Sequence, residues 1–497
     1  MPKGAVRHLG GFIGLDTAAR KRLTEAHFKA MAKSTEELVL SNSFPLQLSP
    51  AYLHNVLHLR PAHVLSVTEP GVHEDARLAL GESVRNVFLT KCQISDAQRS
   101  DEVKAQLSIS RALGGFGLNV ARSHTLFLAS ISRVHRQFPQ SENINWSLAP
   151  YQPLSDADFE SFLLPSVCAA LQCAKFIGDT CEATRVALNE IRSQLSQPTT
   201  LLQTGCLPSI AQPHVVSALY NGFMDAKRYD STTKDCPQLL QRLMDLKSDH
   251  AQGFLRMVPV QASSGRFLPL ADRFCTVIFK GILGVSSDHL HPDAKCICGG
   301  RLDVNHAHRC VLNKRKAVTT RHDAIVKSLG EAAEAAGCSV VFETRNKIND
   351  QRPDCTLTLN DKSGTIIDVD VSVVHAACDP TRDIQSQLKT REQQKMNKYS
   401  STSTACGHEF VPFALTSMGT LGPKAEELLR RIAKHSVIAV FQRNLGVFER
   451  EVSLRLMAAL HRGNYVVQTH GMILASADAN IPILNYAQIS ENMMAIG

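Results

Sequence analysis

Through most of its first 250 residues the chain repeats apolar residues at helical spacing. Ala76, Leu80, Val84, Val87 and Phe88 fall on one stripe, and Leu188, Ile191 and Leu195 on another. Residues three and four apart share a helix face, so each stripe predicts a helix with one buried side. The helical pattern starts at Asp16. Before it, Val6-Arg7-His8-Leu9-Gly10-Gly11-Phe12-Ile13-Gly14 reads as a Gly-rich turn between a short strand and a helix, without the glycine spacing of a phosphate-binding loop. Leu113-Gly114-Gly115-Phe116-Gly117-Leu118 is a second Gly-rich turn, followed by a helical run from Ser123. Asn143 to Pro153 reads as a loop around the only tryptophan, Trp146, and Ser155-Asp156 as a helix cap. Gln197-Pro198-Thr199-Thr200 and Gln261-Ala262-Ser263-Ser264-Gly265 break the pattern and mark boundaries.

From Thr320 the pattern changes. Thr320-Arg321-His322-Asp323 opens a helix with Ile325, Leu329, Ala332, Ala333 and Ala336 on its apolar face, and Gly337 stops it. Val340-Val341-Phe342 is a strand leading into Glu343. Cys355 to Leu359 and Thr365 to Val374 read as two strands, joined by the turn-forming residues Asn360-Asp361-Lys362-Ser363-Gly364. A hairpin symmetric about Lys362 sets Leu359 opposite Thr365 and Asp354 opposite Asp370. Directly opposed residues share a face, with Cβ atoms about 4.5–5.5 Å apart. Asp368 lies on the same face, two residues away. Acids so placed repel one another, and a divalent cation turns that cost into a binding site. Asp354 and Asp370 are therefore candidate Mg²⁺ ligands, with Asp368 or Glu343 as an additional one. Thr381 to Ser400 is helical in composition, and Arg391, Lys395 and Lys398 fall on one face. Alone, such a run is a solvated charged face. Beside a carboxylate pair, a lysine can hold a phosphate oxygen or an attacking water, and phosphodiester cleavage needs both cations and acids.

Composition sharpens this in two places. The chain has 497 residues, 44% hydrophobic and 20% charged, as in soluble globular proteins with more than one core. Its start lacks the apolar stretch of a secretory signal, and no apolar run reaches the length of a membrane span, so an intracellular protein without a membrane partner is expected. The 14 cysteines are scattered, except in Cys296-x-Cys298-x7-His306-x3-Cys310. Three thiolates and one imidazole are the donor set that zinc takes in a tetrahedron. Gly299-Gly300 lets the chain turn back between the ligand pairs. The one-residue gap is shorter than the usual spacing of about two to four, and His308 competes with His306. Four protein ligands leave no open position, so this zinc is structural. The net charge of +8 is compatible with a nucleic-acid partner.

Together these residues resemble the C-terminal part of site-specific non-LTR retrotransposon proteins that carry a restriction-like endonuclease. In that family a Cys/His knuckle precedes an Arg-His-Asn/Asp helix start, an Arg/Lys-Pro-Asp, an Asp-Val-x-Val strand and a Lys-x-x-Lys-Tyr. Here these are Cys296 to Cys310, Arg321-His322-Asp323, Arg352-Pro353-Asp354, Asp370-Val371-Ser372-Val373 and Lys395 to Tyr399. Leu460-His461-Arg462-Gly463-Asn464 is similar to the family's closing Gln-Arg-Gly-Asn. The two Gly-rich turns resemble segments after the polymerase palm and in the connecting region.

The resemblance implies an α+β chain in five parts. These are a helical region resembling a reverse transcriptase thumb (1–150), a helical connector (151–264), a zinc knuckle region (265–312), a restriction-endonuclease-like α/β core with a mixed sheet (313–440) and a helical tail (441–497). It implies Asp354, Asp370, Lys395, Lys398 and Tyr399 as catalytic residues, and Arg321, His322, Arg352 and Arg391 as contacts to nucleic acid. The implied partners are DNA and, in a full-length parent, the element RNA, with work in the nucleus. No Tyr/Phe-x-Asp-Asp polymerase motif occurs, so the chain resembles a fragment that begins after the palm, and no polymerase activity is expected. The restriction-type Asp/Glu-x-Lys reads Asp370-Val371-Ser372, so Lys395 or Lys398 would supply the lysine. The expected function is Mg²⁺-dependent nicking of target DNA, which primes reverse transcription in the parent. The alternative is a catalytically inactive nucleic-acid-binding remnant.

Overall fold

In the computed structural model, the structure describes residues 6–8, 11–13, 17–61, 64–65, 70–120, 236–255, 271–285, 295–296, 298–300, 305–313, 317–343, 352–360, 363–436 and 445–476. The helical run from Ser123, the Trp146 loop, the Ser155-Asp156 cap, the Leu188–Leu195 stripe, both breaker clusters and the loop residues Asp361 and Lys362 lie outside the described residues. So do the expected boundaries at 150, 264 and 440.

Strands β1 (Val6–His8) and β2 (Gly11–Ile13) pair antiparallel with His8 opposite Gly11, and helix α1 (Thr17–Leu40) follows. Next come α2 (Ser49–Leu59), α3 (Pro70–Lys91) and α4 (Asp101–Ser108). The stripe Ala76, Leu80, Val84, Val87 and Phe88 is the buried face of α3. Helices α5 (Pro237–Leu246), α6 (Asp249–Leu255) and α7 (Asp272–Leu283) join the same body. One apolar cluster runs from Phe28 to Val285. At its centre, ring centroids lie 5.4 Å apart for Phe88 and Phe279 and 5.5 Å apart for Phe254 and Phe279. Described residues on both sides of the expected thumb–connector boundary therefore share one core.

The second body is α+β. Helix α8 (His306–Arg309) is a single turn in the knuckle, and α9 (Ala317–Ala335) follows. Ile325, Leu329, Ala332 and Ala333 are buried along α9, as is Ala336 just after it. Gly337, at φ +89°, closes the helix: its N–H donates to Glu334 O at 2.9 Å and that of Cys338 to Ala333 O at 3.0 Å. This paired closure needs a left-handed residue after the helix, which glycine adopts without steric cost. Then come β3 (Ser339–Phe342), β4 (Cys355–Thr358), β5 (Ile366–Val374), α10 (Ile384–Ala405), β6 (Glu409–Thr416) and α11 (Pro423–Ser436).

The sheet order is β3-β4-β5-β6, antiparallel except for the parallel β5–β6 pair, which α10 connects. The hairpin register is the symmetric one: Cys355 faces Val369, Thr356 faces Asp368, and Leu359 N donates to Thr365 O at 2.9 Å. Asp354, one residue before β4, continues that register toward Asp370.

Helix α12 (Leu445–Ser476) follows. It covers the described part of the expected C-terminal helical tail, residues 445–476, and it packs against both bodies. Phe448, Val452, Leu456, Met457 and Leu460 enter the core under the sheet. Leu454, Ala458 and Tyr465 touch the helical body's core, and Val466 and Val467 pack against Ala317 of α9. A helix apolar on several sides is buried among partners rather than laid on a surface. Among the described residues no helix is long and apolar enough to cross a membrane.

Candidate active site and metal centre

The knuckle brings together the four residues named for it. The ligand atoms of Cys296, Cys298, His306 and Cys310 all lie within 4.8 Å of one another. Cys296 Sγ is 3.7 Å from Cys310 Sγ, and Cys298 Sγ is 3.5 Å from His306 Nε2. Zinc held at its usual bond lengths sets tetrahedral ligands about 3.3–3.8 Å apart, so both donor set and spacing fit the ion. The one-residue gap works because the turn closes on itself: Cys296 N donates to Gly300 O at 2.9 Å and Gly299 N to Cys296 O at 2.7 Å. His308 takes no part in this cluster. Its ring stacks on His375 at 4.2 Å and 14°, and its Nδ1 faces Arg321 Nη1 at 3.0 Å. Burial, then the neighbouring His375 and Arg321, hold its pKa well below the usual value, so it is a neutral acceptor.

The carboxylates sit where the hairpin puts them. Asp354 Oδ2 accepts the Val371 N–H at 2.6 Å and lies 2.9 Å from His322 Nε2. The other imidazole nitrogen is 3.2 Å from Asp323. Burial lowers the His322 pKa, but Asp354 and then Asp323 outweigh it, and the value rises to about 9. His322 is thus a cation bound to Asp354 and turned toward the sheet. Asp370 is 3% exposed. Lys395 Nζ lies 2.5 Å from its Oδ2 as an ion pair, yet among the described groups that oxygen receives no well-aligned hydrogen bond. Burial, then Asp354, pushes the Asp370 pKa up, while Lys395 and Tyr399 pull it down. A buried acid disfavoured by a second acid, with lone pairs to spare, suits a divalent cation.

Asp368 has different company. Thr356 Oγ1 donates to its Oδ1 at 2.8 Å, Ser403 Oγ to its Oδ2 at 2.8 Å, and His408 Nδ1 is 3.2 Å from each oxygen. These donors come from β4, from α10 and from the turn after α10, and they hold Asp368 toward α10. Glu343 is exposed at the end of β3 with φ +50°, and its N–H donates to Asp354 O at 3.0 Å. It is therefore beside Asp354, one strand out.

Helix α10 supplies the basic residues. Tyr399 is buried against Phe410, with ring centroids 5.3 Å apart. Lys398 Nζ donates to the Tyr399 hydroxyl at 2.8 Å, and Lys395 Nζ lies 5.6 Å from the Tyr399 ring centre. The hydrogen bond to Tyr399 raises the Lys398 pKa against a smaller loss from burial. Arg352 is exposed, two residues before Asp354, and half-buried Arg391 donates to Gln394 Oε1 at 3.2 Å.

Arg321 departs from the expectation of a nucleic-acid contact. It is 3% exposed, and Nη1 lies 3.0 Å from both His308 Nδ1 and Asn464 Oδ1. It ties the knuckle to α12, and Asn464 Nδ2 in turn donates to Ser417 O at 2.6 Å. Gly463 leaves the room that Arg321 fills. The Arg-His-Asp and Arg-Gly-Asn motifs are thus physical partners. Residue patterns did not single out His408, Ser403, His375 or Asn305. Gly407 is a readable helix stop, and it throws His408 back to Asp368.

No family model matches the chain. The 132 kDa protein of the retrotransposable element SLACS from Trypanosoma brucei gambiense is 25% identical over 182 residues, which take in 33% of this chain and 14% of that protein. The likeness is to a retrotransposon protein. It is partial, and this chain spans only a small part of the relative's length. It supports a retroelement-related role.

Proposed function

We propose that this chain nicks DNA as the endonuclease part of a retrotransposon protein. The observation that carries the reading is the opposed pair Asp354 and Asp370 on one hairpin, faced by Lys395, Lys398 and Tyr399 of α10. Asp354 and Asp370 would hold Mg²⁺, which when bound acidifies a water and polarises the scissile phosphate. The Val371 N–H and His322 orient Asp354. Lys395 pulls the Asp370 pKa down against burial and Asp354. Tyr399 holds Lys398, which offers its ammonium to the charge that grows on the phosphate. Arg352, exposed two residues before Asp354, and Arg391, one turn before Lys395 in α10, would contact the DNA backbone. In a longer parent, the nicked end primes copying of the element RNA in the nucleus.

A second reading, DNA binding without cleavage, is favoured by one feature. Both carboxylates already carry internal cations, His322 on Asp354 and Lys395 on Asp370. Mg²⁺ affinity, DNA affinity and nicking rate of wild type, Asp370→Asn and Lys398→Ala separate the two. Asp370→Asn should lose Mg²⁺ affinity and cleavage together. Lys398→Ala should keep the first and lose about 10²–10³ in rate, as when one electrostatic stabiliser is removed. Both should bind DNA with wild-type salt dependence. Wild type that binds DNA and never nicks leaves the second reading standing.

A further inference from the structure

Arg321 and His322 are neighbours in α9, and their side chains face different sites. Arg321 reaches His308 in the knuckle and Asn464 in α12, each at 3.0 Å. His322 reaches Asp354 at 2.9 Å. One helical turn thus touches both the knuckle and one of the opposed acids. A second connection runs through His375, the residue after β5, whose Asp370 is the other acid. His375 Nε2 lies 3.0 Å from Oδ1 of Asn305, the residue before the knuckle ligand His306. Its Nδ1 lies 2.6 Å from Ser417 Oγ just beyond β6, and its ring stacks on His308.

Helix α8 stands between these connections and the zinc ligands. It is four residues long, with His306 at its start and Cys310 just after it. So short a helix does not persist by itself. Its shape is set by what binds its two sides: the Cys/His cluster on one, Arg321 and His375 on the other.

We propose that His375 and the Arg321–His322 pair are positioning residues that couple zinc binding in the knuckle to divalent-cation binding at Asp354 and Asp370. The proposal rests on the metal-site reading of that acid pair. Cys296, Cys298, His306 and Cys310 would hold zinc between them, and α8 would then be fixed. Asn305 and His308 then hold the end of β5 and the start of α9, and with them the spacing of the two acids. Outer-shell partners of metal ligands are typically worth about 10–100-fold in affinity, and coupling between sites commonly amounts to about 5–150-fold. A factor of roughly ten is expected here. Linkage makes the effect reciprocal: Mg²⁺ must tighten zinc as much as zinc tightens Mg²⁺.

Reciprocity allows a test on the zinc-loaded full chain. Zinc affinity is measured by competition with a zinc-selective chelator, with and without saturating Mg²⁺, for wild type, Asp370→Asn, His375→Phe and His322→Ala. Calorimetry measures Mg²⁺ binding to the same proteins. Phenylalanine at 375 keeps the ring stack and loses both polar contacts. His322→Ala leaves the buried layer intact, and so serves if His375→Phe folds poorly. Mg²⁺ should raise the zinc affinity of wild type about tenfold. The increase should vanish in Asp370→Asn and fall to less than about a third of that factor in the other two. A merely structural His375 would weaken zinc equally with and without Mg²⁺. Zinc affinity indifferent to Mg²⁺, in a wild type whose Mg²⁺ binding requires Asp370, overturns the coupling and spares the acid pair. Full coupling retained in both His375→Phe and His322→Ala overturns the assigned route. Mg²⁺ that binds Asp370→Asn as well as wild type sinks the acid-pair reading, and the coupling with it.

Discussion

Replacing Gly463 by alanine sets two physical effects against each other. Gly463 lies inside α12, a helix of 32 residues. In a helix interior, alanine ordinarily stabilises by about 1 kcal/mol relative to glycine. Here a Cβ would stand 2.4 Å from Arg321 Cγ, 2.6 Å from its Cβ and 2.7 Å from its Cα. The last atom belongs to the backbone of α9, so no swing of the arginine side chain relieves all three contacts. Either α9 and α12 separate or Arg321 is displaced. Overpacking a filled core costs about 1–3 kcal/mol. A displaced Arg321 also leaves His308 Nδ1 and Asn464 Oδ1 without their donor, at about 1–3 kcal/mol for each buried acceptor. With the propensity gain subtracted, Gly463→Ala should destabilise by about 2–8 kcal/mol. Gly253→Ala in α6 is the control, because a Cβ there would meet only Leu454 at 3.8 Å and Ser453 at 4.0 Å, ordinary contacts with α12. It should stabilise by about 0.5–1 kcal/mol. Urea unfolding followed by circular dichroism reads both. Gly463→Ala as stable as wild type would refute the packing of the two motifs on each other.

The remaining predictions concern the metals and the buried acids. Purified protein should carry about one zinc per chain, and a Cys296→Ser/Cys310→Ser double mutant that keeps full zinc would contradict the ligand set. Asp368→Ala should cost about 3 kcal/mol of stability, since the buried donors Thr356 and Ser403 and the half-buried His408 lose their acceptor, whereas Asp370→Asn should leave the unfolding midpoint near wild type; the reverse pattern would exchange their roles. Asp245, buried and bonded to Thr416 Oγ1 at 2.6 Å, has its pKa pushed up from 3.8 to about 6 by burial. The folded state therefore holds a proton that the unfolded chain releases. This group's contribution to stability is complete below pH about 4 and is lost as pH rises through about 6, an effect of about 3 kcal/mol. Asp245→Asn should abolish that slope, and identical pH profiles for mutant and wild type would speak against it.

The hairpin was legible because its loop is short and its two strands are apolar, so one register fits; that register places Asp354 against Asp370. The knuckle was legible from donor type alone. Strand β6 was not read from the sequence, because Pro412 interrupts its apolar run and proline argues against a central strand. As the edge strand of the sheet, β6 tolerates a residue with no N–H. Asp368 and Asp370 are equivalent by periodicity. Only the donors Thr356, Ser403 and His408, gathered from three places in the chain, tell them apart. Arg321 reads as a surface charge until Asn464, far along the chain, is brought to its guanidinium. The same long-range contact holds α12 against α9.

The central claim is that the opposed acids of this hairpin cut DNA. Supercoiled plasmid incubated with Mg²⁺ and purified protein measures that directly, through the rate at which open circles appear. Wild type should nick in proportion to enzyme and only when the divalent cation is present, while Asp370→Asn, folded and still bound to DNA, should leave the plasmid supercoiled. Nicking by Asp370→Asn at the wild-type rate would contradict the claim.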